Sequence, residues 1–343
     1  MLTDIASYDI MMVSKKGLEI DMTDHRIPPQ DKALEDYLAA QTMKKTYSRF
    51  GWALVALLAT WYGFLIAISI VFGVMEAFGI PMLDFYERYM LIFNELGLVI
   101  SIIVVMPILR PLPKYEIYGE RIGVWRFAKY ITIALAIGMI GNVIGNSMLS
   151  FWNSVTGNEA GTEVDELLLG SNFYILLLMV GLVAPFLEEF FFRKLLIDHT
   201  RQYGELPCIL MSGALFGLFH GNFTQFFYAF GLGALLAYIY FRSGNFTLVF
   251  IFHAAFNLVS GILPAMLMSV SETLEMAYMY VYMILVVIGI IFAFIGIRKF
   301  KPRKGEILLP RKTCFSAMIG NSGMIAAVLF MLMLMALSLF TIE

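Results

Sequence analysis

Two adjacent glutamates inside an apolar stretch are the residues most clearly able to do chemistry. Glu188 and Glu189 lie in the run from Ala184 to Leu196, where an ionisable group costs roughly 2.5–3.5 kcal/mol on insertion scales. Glu189 and Arg193 are four residues apart, so on a helix they share one face and can pair. Glu188 points about 100° away, which leaves its carboxylate free to act as a general base. Pro185, one turn earlier, loosens the helix and could open room for water. The alternative is a helix-packing salt bridge.

Two histidines and an asparagine lie on the apolar segments that follow. His220 ends an apolar run, four residues after Phe216, and taken alone it is predicted to be a packed or interfacial residue. His253 and Asn257 are also four apart, so a helix presents both on one face. An imidazole N–H and an amide NH₂ aimed at one point could stabilise an oxyanion. The alternative is a hydrogen-bonded pair between helices, which is common in membrane bundles.

The depth of these residues decides whether they can meet. Counted along the helices, Glu188, His253 and Asn257 lie roughly 11–17 Å from the cytoplasmic ends of their spans. His220 lies roughly 20 Å deep, or less if its helix is tilted. We therefore expect one shared polar layer in the cytoplasmic half of the membrane.

The composition shows which scaffold must position this layer. Of 343 residues, 60% are hydrophobic and 15% charged, whereas a soluble domain is near half apolar and a quarter charged. The apolar runs of about 18–25 residues favour helices over barrel strands. The fold class is therefore all-α, a polytopic transmembrane helical bundle of about eight or nine spans. A net charge of −2 suggests no nucleic-acid partner, and Cys208 and Cys314 are too few for a disulfide framework or a Cys-based zinc site.

Nine apolar runs are candidate spans, and the fifth is short. They lie at about 50–75, 89–109, 127–152, 172–197, 207–221, 223–241, 246–268, 277–297 and 315–341. Residues 1–49 are polar and are interpreted as a cytoplasmic arm, in which Asp31, Lys32, Glu35 and Asp36 belong to a solvated helix rather than a docking segment.

Lys and Arg collect in the loops after the second, fourth, sixth and eighth spans. These basic residues are Arg110, Lys114, Arg121, Arg126, Lys129, Lys194, Arg201, Arg242, Arg298, Lys299, Lys301, Arg303, Lys304, Arg311 and Lys312. The loops between them are acidic, with Glu159, Glu163, Asp165, Glu166, Glu272 and Glu275. This asymmetry predicts a multi-pass protein of the cell (cytoplasmic) membrane with a cytoplasmic N-terminus and, after nine spans, an external C-terminus.

The order of the motifs resembles that of a known family. Glu188-Glu189-x-x-x-Arg193, Phe216-x-x-x-His220 and His253-x-x-x-Asn257, on successive apolar helices, are similar to the CPBP family. These are the CAAX-protease and bacteriocin-processing intramembrane endopeptidases, also called the Abi family. The resemblance covers about residues 172–268, less than a third of the chain. It implies a catalytic core there, between an N-terminal transmembrane region at 50–171 and a C-terminal one at 269–343.

The resemblance implies an enzyme, a glutamate-dependent peptide hydrolase within the membrane. Glu188 is then the base that activates water, helped by His220, and Glu189 and Arg193 are the supporting pair. His253 and Asn257 become the stabilisers of the tetrahedral oxyanion. The residues themselves point to similar roles for Glu188 and for the His253/Asn257 pair, but assign none to His220.

The use of a metal stays open at this stage. Glu188, His220 and His253 could form a zinc site with an open position, although no His-Glu-x-x-His occurs. No cofactor is favoured, and the metal-free glutamate mechanism is preferred.

Three other functions are each suggested by part of the sequence. A serine protease would use the Gly320-Asn321-Ser322-Gly323 stretch, but no histidine follows residue 253, so we interpret this stretch as small residues at a helix interface. A proton-coupled transporter would also carry intramembrane ionisable groups, yet they are confined to one third of the chain. A non-catalytic membrane scaffold or regulator would retain the fold and bind a partner membrane protein.

We expect the substrate to be a peptide or small membrane protein presented near the cytoplasmic leaflet of the lipid bilayer. Processing of secreted peptides, pheromone maturation and bacteriocin immunity are implied only by the resemblance.

Overall fold

The computed structural model describes residues 29–116, 119–157 and 172–340, with side chains from residue 31 onwards. The chain divides into two compact units, Met1–Leu38 and Ala39–Glu343. In the first unit the described residues are helical, with Asp31, Lys32 and Glu35 exposed and Asp36 partly exposed, as expected of a solvated helix. Residues 1–28 of the predicted arm and the acidic loop with Glu159, Glu163, Asp165 and Glu166 lie outside the described residues.

Helices make up the regular structure of the described residues, which confirms the all-α prediction. They are α1 (Pro29–Ala77), α2 (Leu83–Leu109), α3 (Val124–Thr156), α4 (Phe173–Tyr203), α5 (Glu205–Phe219), α6 (Phe223–Ser243), α7 (Phe246–Val270), α8 (Glu272–Lys299), α9 (Arg311–Ile319) and α10 (Ser322–Leu337). Their side chains leave many large apolar groups exposed, among them Ile66, Ile103, Ile284 and Leu329, as expected of helices that face lipid.

The upper count of spans agrees with the lower end of the predicted eight or nine, although nine apolar runs were candidates. Seven described helices are long and apolar enough to cross a membrane, or up to eight if α9 and α10, bent by 65°, form one broken span. The predicted fifth span is α5, which has 15 residues and is therefore roughly 22 Å long. A hydrocarbon core of about 30 Å needs about 20 residues, so α5 is too short to cross by itself.

Helices α5 and α6 nevertheless form an antiparallel hairpin, as the alternation of basic loops requires. Glu205 at the start of α5 pairs with Arg242 at the end of α6, where Arg242 Nη2 donates to Glu205 Oε2 at 2.7 Å. Gly213 and Gly217 let the helices approach closely, since a Cβ on either would lie 2.9 Å from an α6 carbonyl oxygen. Small residues four apart commonly permit such packing in membranes.

The basic segments meet at one end of the bundle. The loop before α3 contacts the end of α6, because the Glu120 N–H donates to the Arg242 carbonyl at 2.8 Å. The segment after α8 contacts the start of α5, because the Arg303 N–H donates to Glu205 Oε2 at 2.6 Å. The Tyr115 N–H donates to the Asp198 carbonyl at 2.8 Å. These loops were all predicted to share one side; that this side is cytoplasmic stays a prediction.

Prolines interrupt α4 and α7 in the same way. Each helix has a π-helical turn just before its proline, Met179–Val183 in α4 and Leu258–Ile262 in α7, and α4 has a further π-helical stretch at Phe190–Ile197. In such a turn a carbonyl accepts from the N–H five residues later. Five residues after Val180 is Pro185, and five residues after Val259 is Pro264. Neither proline has an N–H. Both carbonyls must therefore find partners on other helices, and Val259 accepts from the Tyr278 hydroxyl on α8.

Helix α2 packs along α4. Leu98 and Ile102 of α2 belong to the same buried cluster as Leu187 and Phe191 of α4. One layer further from the basic end, Leu91 packs in a cluster with Leu176. Both helices end at the basic end, so they run in the same direction.

The Gly320–Gly323 stretch lies where α10 meets α1. A Cβ on Gly323 would lie 1.9 Å from the Ser48 carbonyl oxygen, and one on Gly51 would lie 2.1 Å from Gly323 C. The Ser322 hydroxyl lies 3.4 Å from the Ser48 hydroxyl. This confirms the interpretation of small residues at a helix interface.

Candidate active site

Glu189 is the fixed member of the glutamate pair. Its side chain is fully buried, and Oε2 lies 2.9 Å from Arg193 Nε, also fully buried. This confirms the pairing predicted from their spacing on one helix. The guanidinium is held from two further helices, because Nη1 donates to Ser212 Oγ at 3.3 Å and Nη2 to the Gly233 carbonyl at 3.4 Å. A buried charge needs a counter-ion and hydrogen-bond acceptors around it, and this ion pair together with the two weaker contacts holds Arg193 against Glu189.

Glu188 is the accessible member of the pair. Its side chain is 14% exposed, and its Oε2 lies 3.7 Å from His253 Nε2. Arg193 takes Glu189 rather than Glu188 as its close partner, as the 100° offset between adjacent residues predicts. The two glutamates therefore have separate environments in the folded protein, as predicted, and Glu188 keeps its acceptor capacity for a ligand.

His253 lies between the two glutamates, and this contact was not predicted. Its Nδ1 lies 2.9 Å from Glu189 Oε1, so the imidazole can donate there from Nδ1. In the neutral ring that tautomer leaves Nε2, facing Glu188, as an acceptor, whereas the protonated ring donates to both glutamates. The arrangement links α7 to α4 through one buried imidazole.

His220 completes the layer from the end of α5. Its Nδ1 lies 2.8 Å from the Phe216 carbonyl oxygen, so this nitrogen carries the hydrogen and Nε2 keeps its lone pair. The Phe216 ring lies beside both histidines, with centroid distances of 5.0 Å to His220 and 5.7 Å to His253. Two of the residues predicted to share one depth, His220 and His253, are thus brought together around this ring.

Asn257 does not point at the same place as His253. Its Nδ2 donates to the Val180 carbonyl oxygen at 2.9 Å, which is the carbonyl that Pro185 leaves without its helical partner. One amide hydrogen of Asn257 therefore satisfies the carbonyl that has no partner within α4. The second hydrogen is left for another acceptor, and the predicted oxyanion role of Asn257 rests on it.

Glu95 is a residue that reasoning from the sequence missed. It lies on α2 and is 5% exposed, between Leu91 and Leu98, which belong to buried clusters shared with α4, the helix that carries Glu188. The signal was present, since a glutamate inside an apolar span is by itself a candidate functional residue. It was overlooked because Glu95 lies 93 positions before Glu188 and only packing of α2 on α4 unites them.

The positions of the possible ligand side chains show whether a metal ion would fit this site. Among the described residues, no group of three or more His, Cys, Asp and Glu side chains is arranged to hold a metal ion. His220 and His253 each hold a hydrogen bond through Nδ1 and leave Nε2 free, which by itself is compatible with ligation. The three candidates Glu188, His220 and His253 are nevertheless not arranged as a three-ligand zinc site.

One comparison with known families matches the part of the chain that carries these residues. The family model described as type II CAAX prenyl endopeptidase Rce1-like matches residues 170–259, the segment that contains both glutamates, both histidines and Asn257. This confirms the resemblance predicted from the motifs and supports a CAAX-type intramembrane endopeptidase in general. No curated protein and no solved structure matches the chain.

Proposed function

Because residues 170–259 match the Rce1-like type II CAAX prenyl endopeptidases, we propose that the chain is a glutamate-dependent intramembrane endopeptidase. Its substrate is a peptide or small membrane protein presented near the cytoplasmic leaflet. One observation carries the proposal. Of two adjacent glutamates, Glu189 is fully buried against Arg193 and His253, while Glu188 is 14% exposed beside the same histidine.

In the proposed reaction, Glu188 takes a proton from a water molecule. The water oxygen attacks the carbonyl carbon of the scissile bond, and the carbonyl oxygen becomes the oxyanion. The C–N bond then breaks, and the proton held by Glu188 passes to the leaving nitrogen. A positioned carboxylate typically contributes 10²–10⁴-fold to such a proton transfer.

The neighbouring residues have supporting roles in this proposal. His220 Nε2 accepts a hydrogen bond from the attacking water and orients it. In its protonated form His253 donates from Nε2 to the oxyanion, and the unused amide hydrogen of Asn257 donates to it as well. Glu189 and Arg193 hold His253 in place, since Nδ1 of that ring is bonded to Glu189.

The experiment that tests the proposal compares purified wild-type protein with Glu188→Gln and His220→Ala. Each is incubated in detergent with a library of membrane peptides that includes prenylated peptides with a Cys-aliphatic-aliphatic-X end, and cleavage is measured by mass spectrometry. Glu87→Gln is the control, because Glu87 is an exposed carboxylate on α2. Loss of cleavage in both site variants, with Glu87→Gln active, supports the proposal.

The opposite results have distinct meanings. Cleavage that survives Glu188→Gln removes this glutamate from the base role and overturns the proposed mechanism. If the wild type cleaves nothing but still binds peptides, the scaffold function is favoured instead.

A further inference from the structure

Glu95 is a buried carboxylate with an open acceptor. Its Oε1 accepts from Asn94 Nδ2 at 3.2 Å. Its Oε2 is buried, with no hydrogen-bond partner among the described residues. An unmet buried acceptor costs roughly 1–3 kcal/mol, more when it is charged. An unmet buried acceptor of this kind needs an explanation, and a bound ligand that supplies a donor is one.

The position of Glu95 shows where that partner binds. On α2 it lies between Leu91, which packs in a cluster with Leu176 of α4, and Leu98, which belongs to the same buried cluster as Leu187 of α4. Glu95 therefore lies on the part of α2 that packs along the α4 turns leading to Glu188. This places the open oxygen next to the helix that carries the proposed base.

The identity of the partner follows from the environment. A peptide cleaved within the membrane must be extended at the scissile bond, so its backbone N–H groups lose their helical acceptors. No bulk water replaces those acceptors in the hydrocarbon region, where each unsatisfied group costs several kcal/mol. A carboxylate oxygen is an acceptor that can satisfy such an N–H strongly.

We propose that Glu95 is a substrate-binding residue of this site, whose Oε2 accepts a hydrogen bond from a backbone N–H of the peptide. This inference rests on the proposed function. It adds a contact from α2, outside residues 170–259. It also explains why a carboxylate stays buried without a cationic neighbour, since none of its described contacts is an ion pair.

The first test is a binding measurement that needs no cleavage. A fluorescent prenylated Cys-aliphatic-aliphatic-Met peptide is titrated onto Glu188→Gln protein and onto the same protein carrying Glu95→Leu. The leucine variant is expected to bind about tenfold or more weakly, because a hydrogen bond to a charged group is lost. Glu95→Gln keeps a carbonyl acceptor and is expected to fall between the two. Glu87→Gln on the same helix is the matched control.

The second test identifies the donor. Each backbone N–H of the peptide is replaced in turn by N-methyl, and the titrations are repeated. One methylated peptide is expected to bind equally well with and without Glu95→Leu, since the bond is already absent. If every analogue keeps the full sensitivity to Glu95→Leu, no backbone N–H is the donor and the inference is wrong.

Thermal unfolding separates this role from a structural one. Glu95→Leu is expected to raise the melting temperature, because it removes an unmet acceptor from an apolar layer. A lower melting temperature with unchanged peptide affinity would show that Glu95 only supports the fold. Cleavage by the wild type together with unchanged affinity in Glu95→Leu overturns this inference alone, whereas absence of both cleavage and binding in the wild type overturns the proposed function.

Discussion

The Nδ1 atom of His253 lies 2.9 Å from Oε1 of Glu189, so the α7 imidazole is held by the glutamate that also pairs with Arg193. The neighbouring Glu188 approaches only the other ring nitrogen, at 3.7 Å. Two adjacent residues of one type thus have different environments, and their substitution should have different consequences.

Glu188→Gln is expected to abolish most cleavage, by about 10²–10⁴-fold, with little change in thermal stability. Glu189→Gln is expected to destabilise the protein by about 3–5 kcal/mol, because Arg193 is left as a buried charge without its counter-ion. Both expectations are checked by measuring the melting curve in detergent and the cleavage rate of each variant. Equal loss of stability in the two variants would contradict the division of roles.

Asn257 and Pro185 are expected to be coupled. Asn257→Ala removes the donor to the Val180 carbonyl and should cost about 1–3 kcal/mol. In a Pro185→Ala background the new backbone N–H can satisfy that carbonyl, so the same substitution should cost less. A double-mutant cycle on unfolding free energy measures this coupling. Additive effects would show that the proline does not create the need for Asn257.

Ser322 is expected to be dispensable for catalysis. Ser322→Ala should leave cleavage unchanged, whereas Gly323→Val should strongly destabilise the protein. The reason is steric, because a Cβ at Gly323 would lie 1.9 Å from the Ser48 carbonyl oxygen. Gly296→Ala is the control, since a Cβ there meets nothing within 4 Å. Loss of activity in stable Ser322→Ala protein would revive a serine mechanism.

Removal of metal ions is expected to leave cleavage intact. The site residues as placed do not form a three-ligand zinc centre, and Glu188 needs no metal to act as a base. Cleavage rates are compared before and after prolonged dialysis against a strong chelator, followed by readdition of zinc. Activity that disappears with the chelator and returns with zinc would assign Glu188, His220 and His253 as ligands instead.

Local relationships could be derived from the sequence by itself. The helical class follows from long apolar runs, because lipid leaves the backbone few alternatives. The Glu189–Arg193 pair and the separate direction of Glu188 follow from the 3.6-residue period of one helix. The small-residue contact at Gly323 and the meeting of the basic loops at one end also agree with the prediction.

Only the tertiary structure decided how the helices combine these groups. It turned His253 towards Glu189, placed Asn257 on Val180, packed the part of α2 around Glu95 along α4 and showed that α5 is too short to span. Such contacts depend on the rotation and depth of each helix relative to its neighbours. The rotation and depth of a helix are determined by its small residues and by how its surface packs against its neighbours. Neither rotation nor depth follows from the periodicity of a single helix.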